Sequence, residues 1–311
     1  MSKATRAAFG ETLVELAGED VDVVAVEADL SKSTTTATFA DAFPNRFFNV
    51  GIAEQNMIDV AAGLAVTGKV AFTGSFAVFA TGRAYDQVRN TVCYSELDVK
   101  LAPTHSGVTV GPDGGSHQML EDLALMRALP GMRVLVPADF NSAKAALRTA
   151  ATTPGPFYIR LGRVGVEEVY PSDTTFELGR AYVLREGTDV TLAACGLMVG
   201  QALEAADQLA EKGINAEVID VATIKPIDAD TILASARKTG FVVTCEEHSI
   251  IGGLGSAVAE LLVENAPVPM RRIGVRDVFG TSGEPAELLE HFGLTAAHIA
   301  LAARELRASA V

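Results

Sequence analysis

The sequence predicts an α/β protein of two doubly wound domains in tandem, each a largely parallel sheet with helices on both faces. Short β-branched runs alternate with Ala/Leu-rich amphipathic stretches from end to end, the pattern of strand-to-helix crossovers. The alternation breaks once, between Val164 and Glu177, where Pro171, Ser172, Asp173 and two threonines destroy any clear period. A chain of 311 residues, at roughly 150 per domain, also has room for two cores. The expected division is a first domain at 1–163, a linker at 164–178 and a second domain at 179–311.

In the first block the β-branched runs place strands at 21–26, 70–73, 99–102, 134–136 and 157–160. Helices fill the gaps at 5–16, 54–66, 82–92, 120–128 and 142–150. In the second block strands at 190–194, 216–219, 241–245 and 270–273 alternate with helices at 199–212, 228–238, 255–264 and 285–291. The run Glu211-Lys212-Gly213 predicts a cationic last turn followed by a glycine stop.

Composition narrows the function. At 49% hydrophobic the chain buries full cores, and a net charge of −14 argues against nucleic acid or an anionic membrane as a partner. Basic residues gathered at one place therefore stand out. The N-terminus MSKATRAAFGETLVEL lacks an apolar leader, and no apolar run approaches the ~18 residues of a membrane span, so a cytoplasmic location is expected. Cys93, Cys195 and Cys245 are widely spaced, without a CxxC pair, and read as buried free thiols.

Ligands of parallel sheets gather beyond the carboxyl ends of the strands, and three segments there carry possible chemistry. The run PTHSGVTVGPDGGSHQ (103–118) holds His105, Asp113 and His117 in a glycine-rich stretch. It suits either a mobile surface loop or proton transfers and hydrogen bonds to hydroxyls. Zinc is disfavoured, because the histidine spacing matches no metal motif and no third ligand is near. The run FNVGIAEQNM (48–57) places Glu54 in the first turn of a helix continuing through Ile58, Ala61, Ala62, Leu64 and Ala65. That position serves either the helix dipole or a site. The run FTGSFAVFATG (72–82) brings Phe76 and Phe79 to a strand end, as core or as a cofactor wall.

Taken in order, these segments resemble the thiamine-diphosphate enzymes of the transketolase and 1-deoxyxylulose-5-phosphate synthase group. The likeness spans nearly the whole chain and rests on ATR (4–6), EADLSKS (27–33), GIAEQNM, the phenylalanine segment, THSGVTVGPDGGSHQ, FYIRLGR (157–163) and GGLGSAVAELL (252–262). It implies a pyrimidine-binding domain followed by a transketolase C-terminal-like domain. In that group the cofactor's C2 carbon must lose a proton to become nucleophilic, and a buried glutamate hydrogen-bonded to the pyrimidine favours this. Glu54 matches that glutamate, Phe76 and Phe79 match the wall on which the pyrimidine stacks, and Asp29 resembles an acidic residue near the cofactor. By the same likeness His105, Asp113 and His117 line the donor ketose, with His105 and His117 catalytic, while Arg6, Ser33 and Arg160 hold the sugar phosphate.

The group's diphosphate-binding domain carries a Gly-Asp-Gly motif, and this sequence has none. With a methionine opening the pyrimidine domain, the resemblance implies one chain of a split transketolase. A separate N-terminal subunit would hold the diphosphate and Mg²⁺ or Ca²⁺, and two copies of each chain, in contact with each other, would form an α2β2 assembly. Ala53-Glu54-Gln55, Gly82 in place of a third aromatic, and RAYDQVRN (83–90) lean toward the synthase, whereas His105 leans toward transketolase. The β subunit of a 2-oxo acid dehydrogenase shares the two domains, and a non-catalytic scaffold that kept the fold is the alternative from another class.

Overall fold

The structure, a computed structural model, describes residues 2–309. Its strands in chain order are β1 (Lys3–Ala4), β2 (Val23–Glu27), β3 (Phe47–Asn49), β4 (Val70–Gly74), β5 (Val99–Leu101), β6 (Arg133–Leu135), β7 (Phe157–Ile159), β8 (Gly165–Val166), β9 (Tyr182–Arg185), β10 (Val190–Ala194), β11 (Ala216–Asp220), β12 (Thr223–Lys225), β13 (Val242–Ser249) and β14 (Met270–Val275). The first sheet has seven strands in the order β12-β6-β7-β5-β4-β2-β3, and the second has five in the order β14-β13-β10-β11-β9. Only the edge strands β12 and β9 run antiparallel within these sheets. Parallel strands covered on both faces must be apolar along their length, and all five residues of β2 and of β10 are buried.

The two faces of the first sheet have different partners. Val23, Ala25 and Phe72 pack with Phe9, Leu13 and Leu147 of the helices Ala7–Gly18 and Phe140–Thr152. Val24, Val26 and Leu101, pointing the other way by strand alternation, pack with Met57, Ile58 and Leu123. That second core continues into the C-terminal half through Ile219, Ile232, Leu254 and Val258, so the two sheets share one apolar mass. All three cysteines are buried and free. Among the described residues no helix is long and apolar enough to cross a membrane.

The structure departs from the sequence expectations in several places, among them the strands β3 and β9 and the short helices Ser31–Thr34 and Ala37–Ala42, none of which was expected. β12, from the second block, crosses back to extend the first sheet by pairing with β6. Residues 82–92 are not one regular helix but two π-helical turns, Val78–Arg83 and Val88–Cys93, around a short α turn. The helix Ala296–Ala308 was not expected, and it packs across the second sheet. The segment after 163 is not without structure, since β8 pairs with β1.

Candidate active site

In a doubly wound sheet the crevice opens where strand order reverses. Here β3 and β4 flank β2, so the crevice lies beyond the carboxyl ends of β2 and β4. Gly74 ends β4 because Glu27 fills the adjacent space, and a Cβ there would stand 2.8 Å from Glu27 Oε1. Glu27 is fully buried and structural: it accepts hydrogen bonds from Leu30 N at 2.8 Å and Thr34 Oγ1 at 2.6 Å, folding that turn across the crevice.

Phe76 follows β4 and bridges Thr104 beyond β5, which sets its ring against His105 with centroids 3.8 Å apart and planes 21° from parallel. His105 takes a left-handed backbone at φ 60°. That conformation costs roughly 1–2 kcal/mol, and the aromatic stack offsets about 0.5–1.5 kcal/mol of it. Phe79 lies 6.1 Å from Phe76 with planes 12° from parallel, and His117 meets Phe79 edge-on at 5.5 Å.

Glu54 opens the helix Glu54–Val66, whose buried residues Glu54, Met57, Ile58, Ala61 and Ala62 fall at helical spacing. The carboxylate therefore rides on the core-facing stripe and is only 2% exposed. Arg83 Nη1 donates to Glu54 Oε2 at 3.1 Å, and the same guanidinium lies 4.8 Å from the centre of the Phe79 ring. The Arg83 side chain is 51% exposed, so the pair opens to solvent. Beside it, nothing stands within 4 Å of where a Cβ on Gly82 would be.

A second group of residues adjoins the first. Arg6 Nη1 donates to the backbone carbonyl of Ser33 at 2.8 Å and to His105 Nε2 at 3.3 Å. A guanidinium can only donate, so Nε2 is the acceptor and the ring proton sits on Nδ1, facing Thr104 Oγ1 at 2.8 Å. Burial first, then the charges of Arg6 and Arg163, push the His105 pKa down to about 3. The ring is neutral at neutral pH. Because the folded value lies below the unfolded one, its contribution to stability is present above the unfolded pKa and is lost as pH falls toward 3.

Arg163 is the cation that sequence reasoning missed. It donates to the carbonyl of Val110 in the histidine loop, and after burial it is the second cause lowering the Arg6 pKa. Arg160 does not join this group, contrary to the expectation that it holds substrate. Its Nε donates to Asp122 Oδ2 at 2.7 Å and its Nη2 to the carbonyl of Glu247 at 3.0 Å, both buried. Burial alone would lower its pKa, but Asp122 outweighs that and raises it. The signal for Arg163 was present in the same FYIRLGR run: it lies in the loop past β7, where ligands meet such sheets, whereas Arg160 is adjacent to the strand.

The remaining expected residues lie nearby in sequence terms but make fewer contacts. Ser33 presents its carbonyl, not its hydroxyl, to Arg6. Asp113 is exposed in the loop, and the exposed Asp29 accepts from Asn49 Nδ2 at 3.1 Å. Among the described residues no cluster of three or more His, Cys, Asp or Glu is placed to hold a metal ion.

The family model described as "Transketolase, pyrimidine binding domain" matches residues 1–167, and that described as "Transketolase, C-terminal domain" matches 179–299. The chain belongs to the transketolase family. This transketolase chain is 50% identical to a putative transketolase C-terminal section of Methanocaldococcus jannaschii, over 96% of this chain and 94% of that one. It is 48% identical to the 6-deoxy-6-sulfo-D-fructose transketolase subunit SqwH of Clostridium sp. (strain MSTE9), over 97% and 94%. A solved split-gene transketolase, described as an inactive β4 tetramer, superposes with a TM-score of 0.91 at 53% identity, covering 99% of each chain.

The pyrimidine domain makes this transketolase chain one that depends on thiamine diphosphate. Its residues fit that group: a planar cation already rests on the Phe79 face while donating to Glu54, which are the contacts a flat, protonated ring would make.

Proposed function

We propose that this chain is the pyrimidine-domain subunit of a transketolase that moves a two-carbon ketol unit between sugar phosphates. It works with a separate subunit that carries the diphosphate-binding domain and Mg²⁺ or Ca²⁺, two of each forming α2β2. The observation that carries the reading is Glu54, a buried carboxylate tied through Arg83 to the Phe79 face of a parallel phenylalanine pair. Support for the partner comes from the split-gene relative described as an inactive β4 tetramer, and from a 41% identical relative in Phocaeicola vulgatus named as one subunit of an apulose-4-phosphate transketolase.

Bound thiamine diphosphate supplies the nucleophilic carbon that cleaves a ketose. With the cofactor bound, Glu54, now paired with Arg83, would hold the pyrimidine by a hydrogen bond, and Phe76 and Phe79 would wall the ring. Neutral His105 accepts a hydrogen bond from a donor hydroxyl at Nε2, the atom that Arg6 now occupies, because its Nδ1 faces Thr104. His117 lies across the Phe79 edge, where it and Asp113 line the donor from the same loop. Arg6 and Arg163 take the sugar's anionic end, which agrees with the sulfonate and phosphate in the names of two relatives. Ser33 contributes its carbonyl by orienting Arg6, and Asp29 stays at the rim with Asn49.

A second reading, deoxyxylulose-phosphate synthesis, is favoured by Ala53-Glu54-Gln55 and by a 43% identical synthase of Heliobacterium modesticaldum, of which this chain spans 46%. Reconstitution with the diphosphate subunit separates them. Xylulose 5-phosphate with an aldose phosphate is expected to turn over, and pyruvate, with glyceraldehyde 3-phosphate or with a lipoyl domain, is not. Glu54→Gln is expected to lower kcat by about 100-fold or more. Unchanged turnover in that variant would remove the reading.

A further inference from the structure

The histidine loop does not rest on its own domain alone. Strand β13 of the second sheet carries Glu246, Glu247 and His248 just before its last residue, all buried, where a core strand would ordinarily be apolar. Strand alternation sends the two glutamates to opposite faces. Glu246 serves its own domain: its carboxylate accepts the N–H groups of Leu254 at 2.7 Å and Gly255 at 2.8 Å, capping the helix Leu254–Asn265. Glu247 faces the first domain instead. Its Oε1 accepts the N–H of Thr109 at 2.7 Å, and its carboxyl group lies so close to Gly107 that a Cβ there would stand 2.2 Å from it.

The rest of that contact is built to hold Glu247 still. Its backbone carbonyl accepts Arg160 Nη2 at 3.0 Å, and Arg160 is clamped by Asp122. His248 Nε2 accepts the N–H of Leu123 at 3.2 Å, and Ser249 N donates to the carbonyl of Leu120 at 2.8 Å. At the loop's other end Gln118 Nε2 donates to the carbonyls of Thr281 at 2.9 Å and Val108 at 3.0 Å. The loop is thus gripped from the second domain near its start and at its finish, with His105 two residues before the first grip and His117 next to the second.

We propose that Glu247 is a positioning residue for catalysis, fixing the backbone at Gly107–Thr109 so that His105 and His117 meet the donor sugar. The C-terminal domain is then part of the active-site machinery. A carboxyl group suits this role because its carbonyl-type oxygen accepts a backbone N–H whether or not the group is ionised, and an immobile acceptor costs no reorganisation during turnover. Burial pushes the Glu247 pKa up to about 7, so the contact is made at real expense in an interior strand.

The proposal rests on the transketolase reading of the loop, and its test is chosen to separate the two. In the assembled enzyme, Glu247→Ala is expected to raise the KM for the donor ketose phosphate by about tenfold or more and lower kcat/KM by about 100-fold. Affinity for thiamine diphosphate is expected to stay within about twofold, because Glu54, Phe76 and Phe79 sit on other elements. Glu247→Gln keeps an acceptor at the same reach and is expected to stay within about fivefold of the parent KM. Amide hydrogen exchange at Gly107–Val110 is expected to quicken in Glu247→Ala and to stay slow in Glu247→Gln.

Unchanged donor KM and exchange in Glu247→Ala would overturn the proposal, as would an equal loss of cofactor affinity. If Glu247→Ala does not assemble, Glu247→Asp, one methylene short, takes its place with the same expected split and the same overturning result. Glu54→Gln is measured alongside. If it is inactive while Glu247→Ala behaves as the parent, only the positioning role fails. If it turns over normally, the transketolase reading fails, and the exchange data still judge the contact.

Discussion

Arg160 and Arg163 stand three residues apart in opposite surroundings. The first is buried against Asp122, and the second is half-exposed beside Arg6 and the histidine loop. Removing one member of a buried ion pair leaves the other uncompensated, at a cost of about 3–5 kcal/mol. Arg160→Ala is therefore expected to lower unfolding stability by that amount in a denaturant titration. Arg163→Ala is expected to cost about 1 kcal/mol or less while raising the KM for sugar phosphates by about tenfold. Equal destabilisation in the two variants would contradict the assignment. The contrast also shows what sequence alone resolves at this scale. Glu54 is legible as an inward carboxylate because Met57, Ile58, Ala61 and Ala62 continue its stripe. Arg160 misleads because an arginine after a strand announces a cation without saying which face it turns to, and its partner Asp122 lies 38 residues away.

Elements defined by a local period are where sequence and structure agree best. The helices Glu54–Val66 and Pro285–His291 and the strand Val190–Ala194 lie where their patterns place them. Elements that exist through distant contacts do not announce themselves: three-residue β12 takes its place only because β6 offers a free edge, and Pro226 follows at once, which an interior strand would not tolerate. The segment after 163 is of the same kind, since its order comes from Asp139. One carboxylate oxygen caps the helix Phe140–Thr152 through Ser142 N at 2.8 Å, and the other accepts Val169 N at 2.7 Å and Tyr170 N at 2.8 Å. Losing a cap costs about 0.5–2 kcal/mol, and stranding a buried N–H costs about 1–3 kcal/mol. Asp139→Ala is expected to destabilise the chain by about 2–4 kcal/mol and to expose 164–178 to limited proteolysis. A variant that loses stability without new cleavage there would show that Asp139 acts on the helix alone.

For the whole molecule, the decisive question is what this chain can do before its partner arrives. The pyrimidine face offers a stacking contact worth about 0.5–1.5 kcal/mol and a charge-assisted hydrogen bond worth about 1.5–3 kcal/mol. Arg83 already occupies both, and displacing it from a buried carboxylate adds to the cost. Immobilising a free ligand costs at least about 4 kcal/mol, so these contacts alone leave nothing for a measurable complex. The diphosphate gains no help from the chain at large, whose net charge is −14 and whose sequence has no Gly-Asp-Gly. Calorimetric titration of thiamine diphosphate with Mg²⁺ into the isolated chain is therefore expected to give no saturable heat below about 1 mM. On the proposed reading, addition of a diphosphate subunit is expected to produce stoichiometric binding, because it would supply the metal and phosphate contacts while Glu54 and the phenylalanines would wall the ring. Micromolar binding by the isolated chain would mean that the cofactor is held by residues other than these, and that the partner is needed for something other than completing the site.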